Sequence, residues 1–190
     1  MTTWQINQAL WVVLGLVWII GAPLSRRTVQ REPLSARLAY LGPLIVGVIL
    51  LFSHLWARQF PWLELPLWPQ SSAAGVAGVA LTASGVGLAI WARLTLGRLW
   101  SGTITLKEGH RLVQAGPYAL ARHPIYTGFL LAWLGSAVTL GTLRTFLGLV
   151  LATAGFARKL AAEDRLLRTQ FGDEHRDYCQ RVRRLIPFVY

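Results

Sequence analysis

Acidic residues are scarce in this chain. Its 190 residues hold eight Asp and Glu against nineteen Lys and Arg, a formal net charge of +11, and charged residues make up only 14%. Cysteine occurs once, at Cys179, which excludes a disulfide within the chain and any CxxC metal site. There is no Gly-rich dinucleotide loop and no internal repeat. No basic residue precedes the first apolar run and no small-x-small site closes it before Arg26, so the N-terminus does not read as a cleaved signal peptide. The last residues, Pro187-Phe188-Val189-Tyr190, are not a CaaX signal. What is present is apolar: 54% hydrophobic residues and nine tryptophans, the composition of a membrane protein. In a soluble protein the positive charge would suggest nucleic acid. Here the basic residues fall mostly between apolar runs, which fits loops held against an anionic leaflet and argues against a nucleic-acid partner.

Apolar runs at 4–24, 38–56, 73–96, 124–140 and 143–156 predict five membrane helices. The last two are short for a full crossing, and only Gly141-Thr142 separates them, so they read as a tight helical hairpin. The second continues through Ala161-Ala162 into a charged segment and ends at Phe171-Gly172. Residues 173–184 form a polar helical tail. Gly75, Gly78, Ser84, Gly85 and Gly87 suit close helix packing in lipid. The loop at 58–72, with Trp62 and Trp68, reads as an aromatic belt, and His54 as an interfacial residue at a span end. The expected fold is thus an all-α integral membrane protein of about five transmembrane helices with a C-terminal helical hairpin and a cytoplasmic helical tail. Basic stretches at 25–37, 93–123 and 157–184 fall on one side of five spans, which puts the N-terminus outside and the C-terminus in the cytoplasm.

The stretch at 112–128, LVQAGPYALARHPIYTG, concentrates polar and ring-bearing residues that solubility does not require. Pro124 disfavours helix at His123 and suits the first turn of a new one. Arg122 and His123 then flank a helix mouth whose N–H groups form an anion site, with Tyr126 one turn in. The bland alternative is that Arg122 and His123 only mark the membrane boundary, which leaves Gly116-Pro117-Tyr118 and Tyr126 unexplained. A second group is Lys159, Glu163 and Asp164, where a helix leaves the membrane. Glu163 could hold an ammonium, and Lys159 with Arg122 a carboxylate. On these residues alone a solvated helix face is the better reading. His175 and Cys179, one turn apart, are two ligands and do not make a metal site.

These residues resemble the isoprenylcysteine carboxyl methyltransferase family of membrane enzymes. The resemblance rests on His110-x-Leu112-Val113, Gly116-Pro117-Tyr118, Arg122-His123-Pro124-x-Tyr126-x-Gly128, Glu163-Asp164-x-x-Leu167, Phe171-Gly172, Tyr178, Arg181-Val182 and Pro187-Phe188, in the family's order from about residue 97 onward. Phospholipid methyltransferases and sterol reductases share only the Arg-His-Pro-x-Tyr piece. The resemblance implies S-adenosylmethionine as cofactor, with S-adenosylhomocysteine as product. It implies that Thr103, His110, Arg111, Leu112, Val113, Tyr118, His123, Pro124, Ile125, Tyr126 and Glu163 hold the cofactor. Glu163 suits its ammonium, the helix mouth at His123 its carboxylate, and the aromatic rings its sulfonium. Residues 1–96 then form a three-span membrane region and 97–190 the cofactor-binding, catalytic region of one integrated domain.

The family's arginine for the substrate carboxylate falls at Lys159, which keeps the charge but not the bidentate fork. Arg122, Lys159 and Arg181 are the expected catalytic residues, Arg181 alternatively pairing with Asp177. The implied acceptor is a lipophilic or prenylated-cysteine carboxylate reached from the bilayer. A carboxylate is already a nucleophile, so catalysis is mostly positioning with water excluded. The alternatives are a phospholipid or other amine N-methyltransferase and a non-catalytic membrane module of the same fold.

Overall fold

The computed structural model describes residues 1–53, 58–109 and 111–185; His54, His110 and the Pro187-Phe188 pair lie outside them. Five α-helices carry the fold: α1 Thr3–Gly21, α2 Leu34–Phe52, α3 Ser72–Leu96, α4 Pro124–Leu140 and α5 Leu143–Arg181. Local chemistry sets their ends. Thr2 and Gln5 form a capping box at α1 and Ser71 caps α3. Pro124 opens α4 at its first position and Gly141 closes it in the left-handed conformation, φ 62°. Gly172, at φ 50° and ψ −117°, breaks α5 into two helical segments that meet at a kink, where the sequence places the helix end at Phe171-Gly172 and the start of the polar tail. Pro43 lies inside α2 and cannot bond back to Ala39. The freed Ala39 carbonyl accepts from Arg158 Nη1 at 3.4 Å.

Four of these helices are long and apolar enough to cross a membrane. α4, with 17 residues, is ~26 Å long at about 1.5 Å per residue, against a hydrocarbon core of about 30 Å. The hairpin is looser than its two-residue turn implies. α4 lies chiefly against α3, and α5 against α2, while α4 and α5 diverge. Glycines explain the pairing. A Cβ at Gly78 would stand 2.6 Å from the Gly135 carbonyl oxygen, and one at Gly85 2.4 Å from that of Gly128. Gly47 on α2 and Gly148 on α5 meet in the same way. Small residues thus let backbones touch where lipid gives no hydrophobic drive. Gly75 packs on Thr3, but Gly87 meets nothing within 4 Å and Ser84 is exposed, so those two serve no helix contact.

Asn7 is fully buried among α1, α3 and α4. Its Nδ2 donates to Thr82 Oγ1 at 3.0 Å, its Oδ1 accepts from Ser136 Oγ at 3.0 Å, and Trp11 Nε1 donates to Ser136 Oγ at 2.9 Å. The network satisfies an amide inside an apolar bundle.

The two ends differ. At one, the 3-10 turn Pro61–Glu64 and the following loop meet the α4–α5 turn: Leu67 N–H donates to Gly141 O at 2.8 Å and Leu143 N–H to Leu65 O at 3.0 Å. Arg144, 1% exposed, pairs there with Glu64 at 2.7 Å. At the other end the three basic stretches converge. Their link is an unexpected antiparallel ribbon, β1 Thr28–Arg31 with β2 Thr105–Lys107. Each strand is too short and charged to show alternation in the sequence.

Candidate active site

The basic end holds a cavity of about 430 Å³. α4 contributes Tyr126, Phe129 and Trp133, spaced i, i+3, i+7 on one face; α5 contributes Phe156, Lys159 and Glu163 with the same spacing. Tyr126 and Phe156 meet edge-on with centroids 4.8 Å apart, and Trp133 and Phe156 lie 4.8 Å apart. Trp18 and Trp100 close the aromatic end.

Polar groups crowd the other end. Tyr126 OH donates to Glu163 Oε2 at 2.6 Å. Lys159 Nζ donates to Gly102 O at 2.7 Å and lies 5.6 Å from the Tyr126 ring and 5.5 Å from the Tyr40 ring. His123, 5% exposed, places Nε2 2.6 Å from Asp164 Oδ1, while Arg184 and Arg122 reach Asp164 Oδ2 at 3.0 and 3.9 Å. Asp164 lies in the polar continuation of α5 beyond its apolar part. Burial alone would raise its carboxyl; the hydrogen bond and charge of His123, then Arg184 and Arg122, outweigh burial and hold it below the usual carboxylate range. The Tyr118 phenol, between spans, is pushed up by burial first and by the Glu163 charge second, and so stays neutral.

Eleven expected residues line this cavity: Thr103, Arg111, Leu112, Val113, Tyr118, Arg122, His123, Ile125, Tyr126, Lys159 and Glu163. Pro124 is fully buried behind them as the first residue of α4. Arg181 is not brought there. It is exposed, with Nη2 on Gln114 Oε1 at 3.0 Å and Nε on the Asp177 carbonyl at 3.4 Å, so neither its active-site role nor a pairing with the Asp177 carboxylate is formed. The anion met by His123 at the α4 mouth is the protein's own Asp164. Arg122 is partly committed as well, to Asp164 and to Cys179 Sγ.

Sequence reasoning missed several wall residues. His175 and Tyr178 line the cavity from beyond the Gly172 kink, and Tyr178 OH donates to Tyr118 O. Their i, i+3 spacing was the available signal. The tail also straps the motif. Arg122 N–H donates to Arg183 O at 2.8 Å, His123 N–H to Arg184 O at 3.0 Å, and Thr127 Oγ1 to Leu185 O at 2.8 Å. Two of these are backbone-to-backbone bonds and the third a side-chain hydroxyl on a carbonyl, and no side-chain pattern announces them.

Comparison with known proteins agrees in region. Residues 78–169 match the model of the isoprenylcysteine carboxyl methyltransferase family. Protein-S-isoprenylcysteine O-methyltransferase B of Arabidopsis thaliana is 32% identical over 133 residues, covering 68% of this chain and 65% of that protein. A probable protein-S-isoprenylcysteine O-methyltransferase of Oryza sativa subsp. indica is 28% identical over 191 residues, covering 98% of this chain and 96% of the relative. Methanethiol S-methyltransferase 1 of Bradyrhizobium diazoefficiens is 43% identical over a shorter 72 residues, 37% of this chain and 24% of that protein.

Proposed function

Since the chain belongs to the isoprenylcysteine carboxyl methyltransferase family, we propose that it transfers a methyl group from S-adenosylmethionine to the carboxylate of a lipophilic, isoprenylcysteine-like acceptor in the membrane. The observation that carries this reading is a single cavity with a polar end at His123, Tyr126, Lys159 and Glu163 and an aromatic end at Phe129, Trp133 and Phe156. An amphipathic acceptor and a zwitterionic nucleoside both find matching surfaces there.

The donor set fits the cofactor. Glu163, oriented by Tyr126, suits its ammonium. Arg111 and the first-turn N–H groups of α4 suit its carboxylate. Leu112, Val113 and the neutral Tyr118 suit the adenine, with Thr103 beside them. When bound, the cofactor supplies an electrophilic methyl group on a sulfonium. Lys159 holds the acceptor carboxylate near that point, a point charge where the family's arginine gives a fork. The carboxylate needs no proton removed, and His123 is committed to Asp164, so the protein's work is orientation and exclusion of water. The charge bias favours a cytoplasmic cofactor face and an outer N-terminus.

The test is calorimetric titration of the detergent-solubilised protein with S-adenosylhomocysteine, beside Glu163→Ala. Binding by the wild type and at least tenfold weaker binding by the variant are expected. No heat from the wild type sinks the methyltransferase reading, and equal binding removes Glu163 from the pocket. Methyl transfer to S-farnesylcysteine, but not to its carboxamide, is the companion result.

A further inference from the structure

A lysine is a flexible four-carbon stem that ends in a point charge. To hold a carboxylate in line for transfer, its ammonium must itself be held. Three groups surround Lys159 Nζ. It donates to the Gly102 carbonyl at 2.7 Å, and the ring centroids of Tyr126 and Tyr40 lie 5.6 and 5.5 Å away. Both rings fall within the range of cation–π attraction, about 6 Å. Tyr126 already belongs to the site through its bond to Glu163. Tyr40 comes from α2, and no motif in the sequence singles it out.

The fold explains how Tyr40 gets there. A Cβ at Gly155 of α5 would stand 3.0 Å from the Tyr40 carbonyl oxygen. The missing side chain lets α2 and α5 close at this level, and Lys159, one turn further along α5, comes up against the Tyr40 ring. Tyr40 is 2% exposed, so the ring cannot turn out of the bundle. Its hydroxyl is fixed as well: it donates to Glu32 Oε1, which also accepts from Ile104 N–H at 3.3 Å. A phenol polarised by a carboxylate presents a more electron-rich ring to a cation. Apolar packing accounts for a buried ring at this position, but not for an ammonium set between two of them.

We propose that Tyr40 is a positioning residue for methyl transfer: with Tyr126 it clamps the Lys159 ammonium between two rings, so that the N–H groups not used on Gly102 are aimed at the acceptor carboxylate. An ammonium has three donors, and Gly102 takes one. The two rings supply by enclosure the directional restraint that a planar guanidinium fork carries in itself. This rests on the methyltransferase reading above.

The experiment compares the wild type with Tyr40→Phe and with variants carrying mono-, di- and trifluorinated phenylalanine at position 40. These keep a ring of nearly the same shape while stepping down its attraction for a cation. For each, KM and kcat are measured with S-farnesylcysteine, and S-adenosylhomocysteine binding by calorimetry. Tyr40→Phe should stay within about twofold of the wild type in acceptor KM. KM should then climb with each fluorine to about fivefold in the trifluorinated variant, the worth of one cation–π contact. S-adenosylhomocysteine affinity should hold constant through the series, which also shows that the variants fold. A KM that does not respond to fluorination overturns the clamp, and a loss already complete in Tyr40→Phe gives the effect to the Glu32 bond instead. S-adenosylhomocysteine binding that weakens in step with KM also overturns it, because the clamp acts on the acceptor alone. In each of these cases turnover by the wild type leaves the methyltransferase reading standing. No transfer by the wild type defeats that reading, and the clamp with it.

Discussion

Two adjacent acids on α5 are separated by their partners. Among the described residues Glu163 accepts a hydrogen bond from one neutral hydroxyl, Tyr126 OH at 2.6 Å, and keeps capacity for a cation. Asp164 is saturated by His123, Arg184 and Arg122. Tyr126→Phe should leave the ring packing on Phe156 intact and cost Glu163 its orientation. S-adenosylhomocysteine should then bind about tenfold more weakly by calorimetry, consistent with about 1.5 kcal/mol for a hydrogen bond to a charged group. Asp164 predicts a pH signature instead. Its folded pKa lies below the unfolded value of about 3.9, so its contribution is complete above that value and is lost as pH falls through the folded pKa. Asp164→Asn should melt below the wild type near neutral pH, with the gap closing as pH falls below about 4. A gap that stays constant over that range would mean that Asp164 does not stabilise through its charge. At this scale spacing placed Lys159 and Glu163 on one face of a helix, while their place in one site with Tyr126 was legible only through the family resemblance. The sequence was silent on the bonding of Glu32 to Ile104, which a two-stranded ribbon brings together across some seventy residues of chain.

Helix identity was legible from apolar length, helix pairing only in part. Glycines at 78 and 85 suggested close packing, but not that their partners are glycines 135 and 128 on α4, since either neighbour could have supplied the facing surface. The five glycines and serines singled out on α3 also differ sharply in what they touch. Gly85→Val should break the α3–α4 contact, because a Cβ there lies 2.4 Å from backbone that cannot yield. A loss of several degrees in melting temperature in detergent is expected. Gly87→Ala, meeting nothing, should match or exceed the wild type, since alanine favours a helix by up to about 1 kcal/mol over glycine. Equal behaviour of the two variants would mean that the glycine seam does not hold α3 to α4.

The molecule as a whole is polarised along the bundle. At one end backbone bonds close the ribbon and, separately, tie the tail to the Arg122-His123-Pro124 motif, and Arg144–Glu64 closes the other end. The sequence predicted that the three basic stretches share a side from the count of five spans and the charge bias together, and the convergence of those stretches is a structural fact independent of that rule. The cytoplasmic leaflet is the one we propose for them: cytoplasmic loops carry the Lys and Arg excess, and an anionic surface attracts each such residue by about 1 kcal/mol. Cys179 is the only cysteine, so a Cys179→Ser background makes topology measurable. Thr169→Cys, exposed on α5 before the kink, should react with a membrane-impermeant maleimide in inverted vesicles and stay protected in intact cells. Leu65→Cys, 55% exposed at the opposite end, should show the reverse. Labelling of both from one side would break the single-axis arrangement of the bundle, because the two positions lie at opposite ends of α5 and its partners. Labelling with both sides exchanged would keep the fold and invert the orientation. The cofactor cavity would then open away from the cytoplasm, where the methyl donor would have to be supplied from the other compartment.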